Sequence, residues 1–511
     1  MELKIFAVVA VVLALTACFH DNEDGTMVIP GQPVLTFTPV KTFHFSWVDV
    51  SDATHYKLME NPDGISGFAQ VGSDIPQGTQ IYDHAVPLYA RVNAQYVLQN
   101  CNAAGCTDSD TVSVSGTLVG SIGYFKASIT DGGDYFGDEV SLSADGSTLV
   151  VGAPGEGGIA TGINGDQADN SAPSAGAVYV FSRSGTTWIQ QAYIKASNSD
   201  EGDNFGSAIS LSADSNTLAV GAYREGSSSI GVDGDQTDNS AVSAGAVYVF
   251  GRIDANWSQQ EYLKADSINS SDMFTSDYFG HKVNLSGDGN TLAICAPHFS
   301  ILPSDESRVF IFSRNNMSWT QQFRIDVIDV AAILNSDVFN SVNLSIDGNT
   351  LAVGVAAYRR GGFPPGPGKV LIYNRSELNW VLGAEISANY YNSTNNFGSA
   401  VTLSADGHTL AVGATYEGSS ATGINGDQTD SSVVGAGAVY VFNLRDTSWI
   451  QQAYIKASNT DEGDSFGSAL SLSADGDTLA VGAIYEGSSA TGINGDQTDN
   501  STSGAGAVYL Y

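Results

Sequence analysis

Residues 449–483 read WIQQAYIKASNTDEGDSFGSALSLSADGDTLAVGA, and residues 188–222 read WIQQAYIKASNSDEGDNFGSAISLSADSNTLAVGA. This self-similarity, at a period of roughly 60 to 70 residues, marks a repeated unit that cannot bury its apolar face alone and has to stack on its neighbours. Within the unit, apolar residues alternate or form short runs between turn residues, which is the pattern of strands rather than helices. Four strands are predicted: residues 468–473, 478–483, 506–511 (counterpart 437–442) and 449–456. An Asp-Gly between the first two predicts a tight hairpin, because glycine accepts the positive φ of such a turn. The pair recurs at Asp145-Gly146, Asp288-Gly289, Asp347-Gly348, Asp406-Gly407 and Asp475-Gly476, with Asp214-Ser215 as the exception.

A Phe-Gly heads the first strand of each unit, at Phe136, Phe205, Phe279, Phe397 and Phe466, and Phe339 is followed by Asn340 instead, which makes six units. A four-stranded antiparallel sheet repeated radially is a propeller blade, and a ring of blades leaves few strand edges exposed. The expected fold is therefore all-β: a six-bladed β-propeller preceded by a smaller sandwich. A seventh, divergent blade is the alternative, though no leftover stretch is long enough to supply one. The last unit ends at Tyr511 after its third strand, while residues 121–128 (SIGYFKAS) match a fourth strand that no repeat precedes. Residues 119–128 are thus expected to complete the last blade.

At 511 residues, 42% hydrophobic and 15% charged, the composition is globular. A net charge of −35 argues against nucleic acid as a partner, since phosphate binding needs clustered Lys and Arg. Such acidity suits solubility and divalent cations.

Lys4, an apolar run over residues 5–15, and then Leu15-Thr16-Ala17-Cys18 fit an export signal better than a membrane span. The four residues resemble the bacterial lipoprotein lipobox, although Glu2 departs from the usual basic leader. The resemblance implies a signal peptide over residues 1–17, acylation of Cys18, and stable anchoring at about 0.8 kcal/mol per buried CH₂. Phe19, where inner-membrane retention favours Asp, implies the outer membrane and the cell surface. Residues 18–30 read as a polar tether.

Residues 31–118 hold short alternating strands (VLTFTPV, FHFSWVDV, HYKLMENP, AQYVLQNC, DTVSVSG) with Trp47 early and Tyr96 late. This resembles a fibronectin type III sandwich. Cys101 and Cys106 flank its last hairpin turn, and in an exported chain they are expected to form a disulfide. Cys295 sits in LAICAP where sister units have LAVGA, and reads as a small buried core residue.

Residues 119–511 resemble the FG-GAP repeats of integrin α-subunit propellers, on the recurring FG, VGAP (151–154), CAP (295–297) and GAVYVF (176–181, 245–250, 437–442). That family often carries calcium in the loop between strands one and two. Here the loop is only Ser-Ala-Asp-Gly, too few oxygens for six to eight ligands, so those sites do not carry over.

Strand parity puts loops one-to-two and three-to-four on one face and the other two sets on the opposite face. The second face holds all the insertions: residues 155–176, 224–245, 416–437 and 485–506, joined by Asp200, Glu201 and Asp203 and by Asp461, Glu462 and Asp464. Each insert shares Gly-Asp-Gln-x-Asp, at Asp166/Asp169, Asp235/Asp238, Asp427/Asp430 and Asp496/Asp499, preceded by Asn164, Asp233, Asn425 and Asn494. Alternating carboxylate and amide oxygens on a glycine-rich loop suit calcium (Ca2+), although the spacing is not that of an EF-hand. In the competing reading the same residues build local turns on their own backbone. Units three and four lack inserts and offer residues 297–308 and 356–369 instead, the latter carrying Arg359, Arg360 and Phe363 as a basic notch for ligand contact. The competing reading there is a Pro-rich connection.

Gly463-Asp464-Ser465-Phe466-Gly467 fits the G-x-S-x-G nucleophile elbow, but sister loops read GDNFG and GDYFG and no helix follows, so no catalytic residue is assigned. Trp188, Trp257, Trp319, Trp380 and Trp449, with Tyr124 near the completing strand, read as packing on the outer strand. The leading expectation is a non-enzymatic, lipid-anchored protein whose insert-bearing face contacts an extracellular protein or glycan, with the sandwich as spacer. An envelope enzyme or polysaccharide-processing accessory using the central channel, and a purely structural surface module, are the alternatives.

Overall fold

The computed structural model describes residues 28–267, 277–296, 307–315, 318–327, 338–346, 349–356, 368–376, 379–388 and 395–511. Cys18, Arg359, Arg360 and Phe363, and the turn at Asp347-Gly348, lie outside them. Every described element is a β-strand or a single 3₁₀ turn.

Each repeat folds as one antiparallel meander, with its strands paired in chain order. Sheet 1 comprises Val140–Leu142, Thr148–Ala153, Ala177–Ser184 and Thr187–Ile194, and sheet 2 comprises Ala208–Leu211, Thr217–Ala222, Ala246–Ile253 and Asn256–Leu263. Sheets 3, 4 and 5 begin at Lys282–Leu285, Val338–Leu344 and Phe397–Leu403. Sheet 6 pairs Phe466–Leu472, Leu479–Ala483 and Ala507–Leu510 with Gly123–Phe125, in the register Val508↔Phe125 and Tyr509↔Tyr124. The N-terminal segment therefore supplies the fourth strand of the last sheet. Tyr124 thereby takes the place of Tyr193 in sheet 1, which pairs with Tyr179 as Tyr124 pairs with Tyr509, rather than a tryptophan position.

The Asp-Gly hairpins close as their chemistry dictates. In sheet 1, Ser143 Oγ donates to Asp145 Oδ1 at 2.6 Å, the Ser147 amide donates to the same oxygen at 3.0 Å, and Gly146 takes φ +62°. Ser215, the exception, adopts φ +61° without glycine's freedom.

Sheets meet through their first and second strands. Leu211 N donates to Ser141 Oγ (3.2 Å), Leu285 N to Ser210 Oγ (2.9 Å), Leu403 N to Asn343 Oδ1 (3.0 Å) and Leu142 N to Ser471 Oγ (2.9 Å). With Ala405 N donating to Ala474 O at 3.0 Å, contacts run through sheets 4, 5, 6, 1, 2 and 3 in that order. Residues 328–337, which join sheets 3 and 4, lie outside the described residues. The Phe-Gly phenylalanines Phe136, Phe205, Phe279, Phe397 and Phe466 are fully buried, each edge-on to an aromatic ring of strand three. Burying such a ring contributes roughly 1.5–3 kcal/mol.

Residues 34–113 form two further sheets. One pairs Val34–Thr38, Thr42–Ser46 and Ile81–Ala85; the other runs Ala69–Pro76, His55–Asn61, Gln95–Asn102, Gly105–Asp108, with Val112–Ser113 also on Gln95–Asn102. Phe43, Phe45, Tyr56, Leu58, Tyr96 and Leu98 are buried in the core cluster of this region. Cys101 and Cys106 are register partners joined by a disulfide.

This region is not the detached spacer that the sequence suggested. Its first hairpin turn, Val40-Lys41 with φ +62° at both residues, drives into sheet 6. Lys41 Nζ donates to Asp477 O (2.5 Å) and Thr478 Oγ1 (2.6 Å), and Lys41 N donates to Ser121 O (2.6 Å) beside the completing strand. Ile424 N donates to Thr117 O at 2.9 Å, which ties the connection to sheet 5. Cys295 also departs from expectation: it is a free thiol that is half-buried rather than buried, and that partial burial raises its pKa.

Candidate binding face

The four inserts fold alike, and a buried ion pair fixes each. Glu156, Glu225, Glu417 and Glu486, early in the inserts of sheets 1, 2, 5 and 6, meet Lys195, Lys264, Lys456 and Lys126 at 2.7, 2.7, 2.9 and 2.9 Å. Each lysine follows the fourth strand of the same sheet, so the pair staples insert to sheet edge. Both partners are almost completely buried. Removing one would leave a charge without its counter-ion, a change that costs about 3–5 kcal/mol. The other glutamate oxygen accepts the backbone amide two residues on; Gly158 N donates to Glu156 Oε1 at 3.0 Å. Burial lowers the pKa of each lysine, and the glutamate partially offsets that.

Further along, the inserts reach the end of strand four. Ile163 bridges Ile194, Val232 bridges Leu263, Ile424 bridges Ile455 and Ile493 bridges Phe125. Asn164, Asp233, Asn425 and Asn494 all sit in the left-handed region (φ +52° to +57°) and accept the amides of Tyr193, Tyr262, Tyr454 and Tyr124 at 2.9–3.1 Å. Asn and Asp tolerate that conformation.

Of the aspartates read as calcium candidates, Asp166, Asp235, Asp427 and Asp496 are exposed and Asp169, Asp238, Asp430 and Asp499 half-buried, and their oxygens turn inward to the loop. Asp166, Asp235, Asp427 and Asp496 accept the amide two residues on at 2.8–2.9 Å. Asp169, Asp238, Asp430 and Asp499 each accept two amides, as Asp238 does from Ser228 (2.8 Å) and Ser240 (3.1 Å). The Ser228 bonds hold the Asp238 carboxyl far below the usual range. Among the described residues no three His, Cys, Asp or Glu side chains converge on a point that could hold a metal. The candidate carboxylates thus accept hydrogen bonds from their own loops, as the turn-building reading expects.

The four-to-one loops also differ from their sequence reading. Asp203 and Asp464, expected as part of an exposed acidic surface, are 4% and 5% exposed. Their Oδ2 atoms accept the amides of Asp200 and Asp461, closing a turn on themselves. Burial, then the charges of Glu225 and Glu486, push both pKa values up to about 8, and burial raises Asp134 to about 7. Ser465 sits at φ +56°, its Oγ on Gly463 O at 3.4 Å, a loop residue heading a strand.

Inserts and four-to-one loops share one face: Gly202 N donates to Pro173 O, Tyr135 N to Gly504 O and Ser465 N to Gly435 O. On the same side, Lys282 Nζ of sheet 3 reaches Glu139 Oε2 of sheet 1 at 2.6 Å, so the heads of these two first strands approach one another past sheet 2. The tryptophans lie away from it, on the outer strands. Trp188, Trp257 and Trp319 are buried beneath Arg183, Arg252 and Arg314 at 5.4–5.9 Å, which supports packing.

No curated protein matches the chain. Among solved structures it is similar to the β-propeller domain of Myceliophteria thermophila Cps50 (Swd1), with 9% identity, a TM-score of 0.33, and coverage of 73% of this chain and 96% of that one. It is similar to the RRP9 WD40 repeats at 10% identity and TM-score 0.36, covering 76% and 96%, and to the Dos1 propeller at 11% and 0.32, covering 94% and 95%. Likeness at that level carries no argument, and the fold rests on the strand pairing. Residues 188–250 and 449–511 match the model of the FG-GAP repeat, and the sister sheets repeat the same strand order in a chain whose described elements are all β.

Proposed function

We propose that this protein is a binding module of the cell surface, anchored through an acylated Cys18 at the outer membrane, whose insert-bearing face holds a macromolecular ligand. In this reading the six sheets close into a ring and residues 31–118 are a fibronectin type III-like domain docked on its latch. One observation carries the functional part. Four inserts, each stapled by its own buried Lys–Glu pair, rise on the same face as the four-to-one loops, and such investment in positioning exposed loops suits recognition. Calcium, if it binds, draws on Asp166/Asp169 and their sisters only after their turns open.

Protein and glycan arrays probed with the chain from Phe19 to Tyr511, with and without calcium, test the reading. Retention of one ligand class, lost when a Fab against an insert is bound, supports it. Failure to retain any ligand in either condition would sink it. Mass spectrometry of the membrane-extracted protein tests the anchor: an unmodified Cys18 thiol would remove that part alone.

A further inference from the structure

We propose that five tyrosines around the axis of the insert-bearing face, Tyr135, Tyr223, Tyr278, Tyr416 and Tyr485, form a platform for an uncharged, hydroxyl-rich glycan. This deepens the functional reading above and rests on it.

The rings are gathered. Tyr135 and Tyr485 meet edge to face at 5.8 Å, and Tyr223 lies 5.9 Å from Tyr278 and stacks on His281 at 5.4 Å. Tyr416 holds in sheet 5 the position that Tyr485 holds in sheet 6, directly before the stapled glutamate. Three are exposed, Tyr135, Tyr416 and Tyr485 at 37%, 55% and 49%, while Tyr223 and Tyr278 are half-buried.

The repeats show that the fold does not ask for these rings. Tyr135 and Tyr278 occupy a loop position with φ +55° and +48° that the sister repeats fill with Asn204, Asn396 and Ser465. A bulky residue in that region is an outlier, and such strain gathers at functional sites. Tyr416 and Tyr485 stand where sheet 1 has Gly155 and sheet 2 has Arg224. By contrast, the tyrosines shared by the four insert-bearing repeats, Tyr179, Tyr248, Tyr440 and Tyr509, are buried.

Local charge selects the ligand chemistry. The chain carries −35 overall, but here Lys282 pairs with Glu139 and acts on Asp138, and the Arg224 guanidinium lies over the Tyr223 ring. Burial, then Lys282, hold His281 down to about 4, so it is neutral at pH 7. The platform is thus balanced, whereas the surrounding acidic inserts repel polyanions. Balanced donors and acceptors among exposed rings match a sugar, whose C–H face lies on a phenol ring while its hydroxyls find both hydrogen-bonding roles. Tyrosine supplies such rigid amphipathic area at low entropic cost.

The test uses the chain from Phe19 to Tyr511 and its Tyr135→Asn and Tyr485→Ala variants. Each is titrated with neutral glucans, mannans and N-acetylhexosamine polymers, with a uronate polymer and a Lys-rich peptide as comparison arms. A neutral glycan should bind, with Kd raised at least tenfold by either substitution. Tyr135→Asn should keep or raise Tm, because its sister repeats already place Asn there. No neutral glycan bound, binding unchanged in both variants, or preference for the uronate polymer or the peptide would each overturn the proposal. A protein ligand captured on the insert-bearing face would overturn it while leaving the broader reading standing; no ligand of any class would remove both.

Discussion

A side-chain carbon placed on Gly482 would lie 2.1 Å from the carbonyl oxygen of Gly137. The first belongs to the Val-Gly-Ala of sheet 6 and the second to the Phe-Gly of sheet 1, so the two repeat motifs exist for each other. The same pinch recurs between Gly152 and Gly206 (2.0 Å), Gly221 and Gly280 (2.1 Å), Gly354 and Gly398 (2.2 Å) and Gly413 and Gly467 (2.1 Å). Gly482→Ala must push backbone apart and should destabilise by about 1–3 kcal/mol or more, read as a lower urea midpoint. Gly31→Ala, with nothing within 4 Å, should stay within about 0.5 kcal/mol and serves as control.

The repeats, the strand order and the completing strand were legible because each is written in apolar alternation and turn chemistry. Other features were legible and passed over. Lysine follows strand four only in the repeats whose insert carries the glutamate; at the equivalent place sheets 3 and 4 have Asp326 and Ser387. Likewise, Cys295 replaces the Val-Gly-Ala glycine in the one unit whose successor replaces the Phe-Gly glycine with Asn340. Both are pairings between distant positions, visible only when repeats are aligned column by column. The tyrosine platform and the docking of Lys41 could not be read, because they arise where different repeats meet in space.

The buried staples yield a double-substitution prediction. Lys264→Met alone should cost about 3–5 kcal/mol by leaving Glu225 buried without its counter-ion. Adding Glu225→Leu should recover much of that loss, since the charge that lacked a partner is gone. Urea denaturation of both singles and the double gives the coupling; a double substitution as damaged as the sum of the singles would contradict the pairing.

Asp203 and Asp464 set a pH dependence. Their folded pKa of about 8 lies above the ordinary 3.8, so the folded chain holds protons that the unfolded chain has released. Their contribution is fully present below about pH 4 and is lost as pH rises through about 8. Wild type should therefore lose stability between pH 5 and pH 8, and Asp203→Asn, which keeps the carbonyl that accepts the Asp200 amide, should lose less. Thermal denaturation of the two across that range checks the difference in slope.

Lys41 gives the last prediction, because it ties the hairpin of residues 34–46 to sheet 6. Its Nζ is buried against Asp477 O and Thr478 Oγ1, and its own amide holds Ser121 O two residues before the strand that completes sheet 6. Lys41→Ala keeps the backbone bond but strips the two acceptors of their donor, so the hairpin turn should lift from sheet 6. The local result is faster amide exchange over Gly123–Phe125 and Ala507–Leu510, with exchange in sheet 2 unchanged. Burial, then repulsion by Arg183, lower the lysine to about 7 against the ordinary 10.5. The contact should therefore strengthen as pH rises from about 7 toward 10, opposite in sign to Asp203. Exchange over Gly123–Phe125 that ignored both the substitution and the pH would mean that the hairpin rests on sheet 6 without holding its completing strand in place.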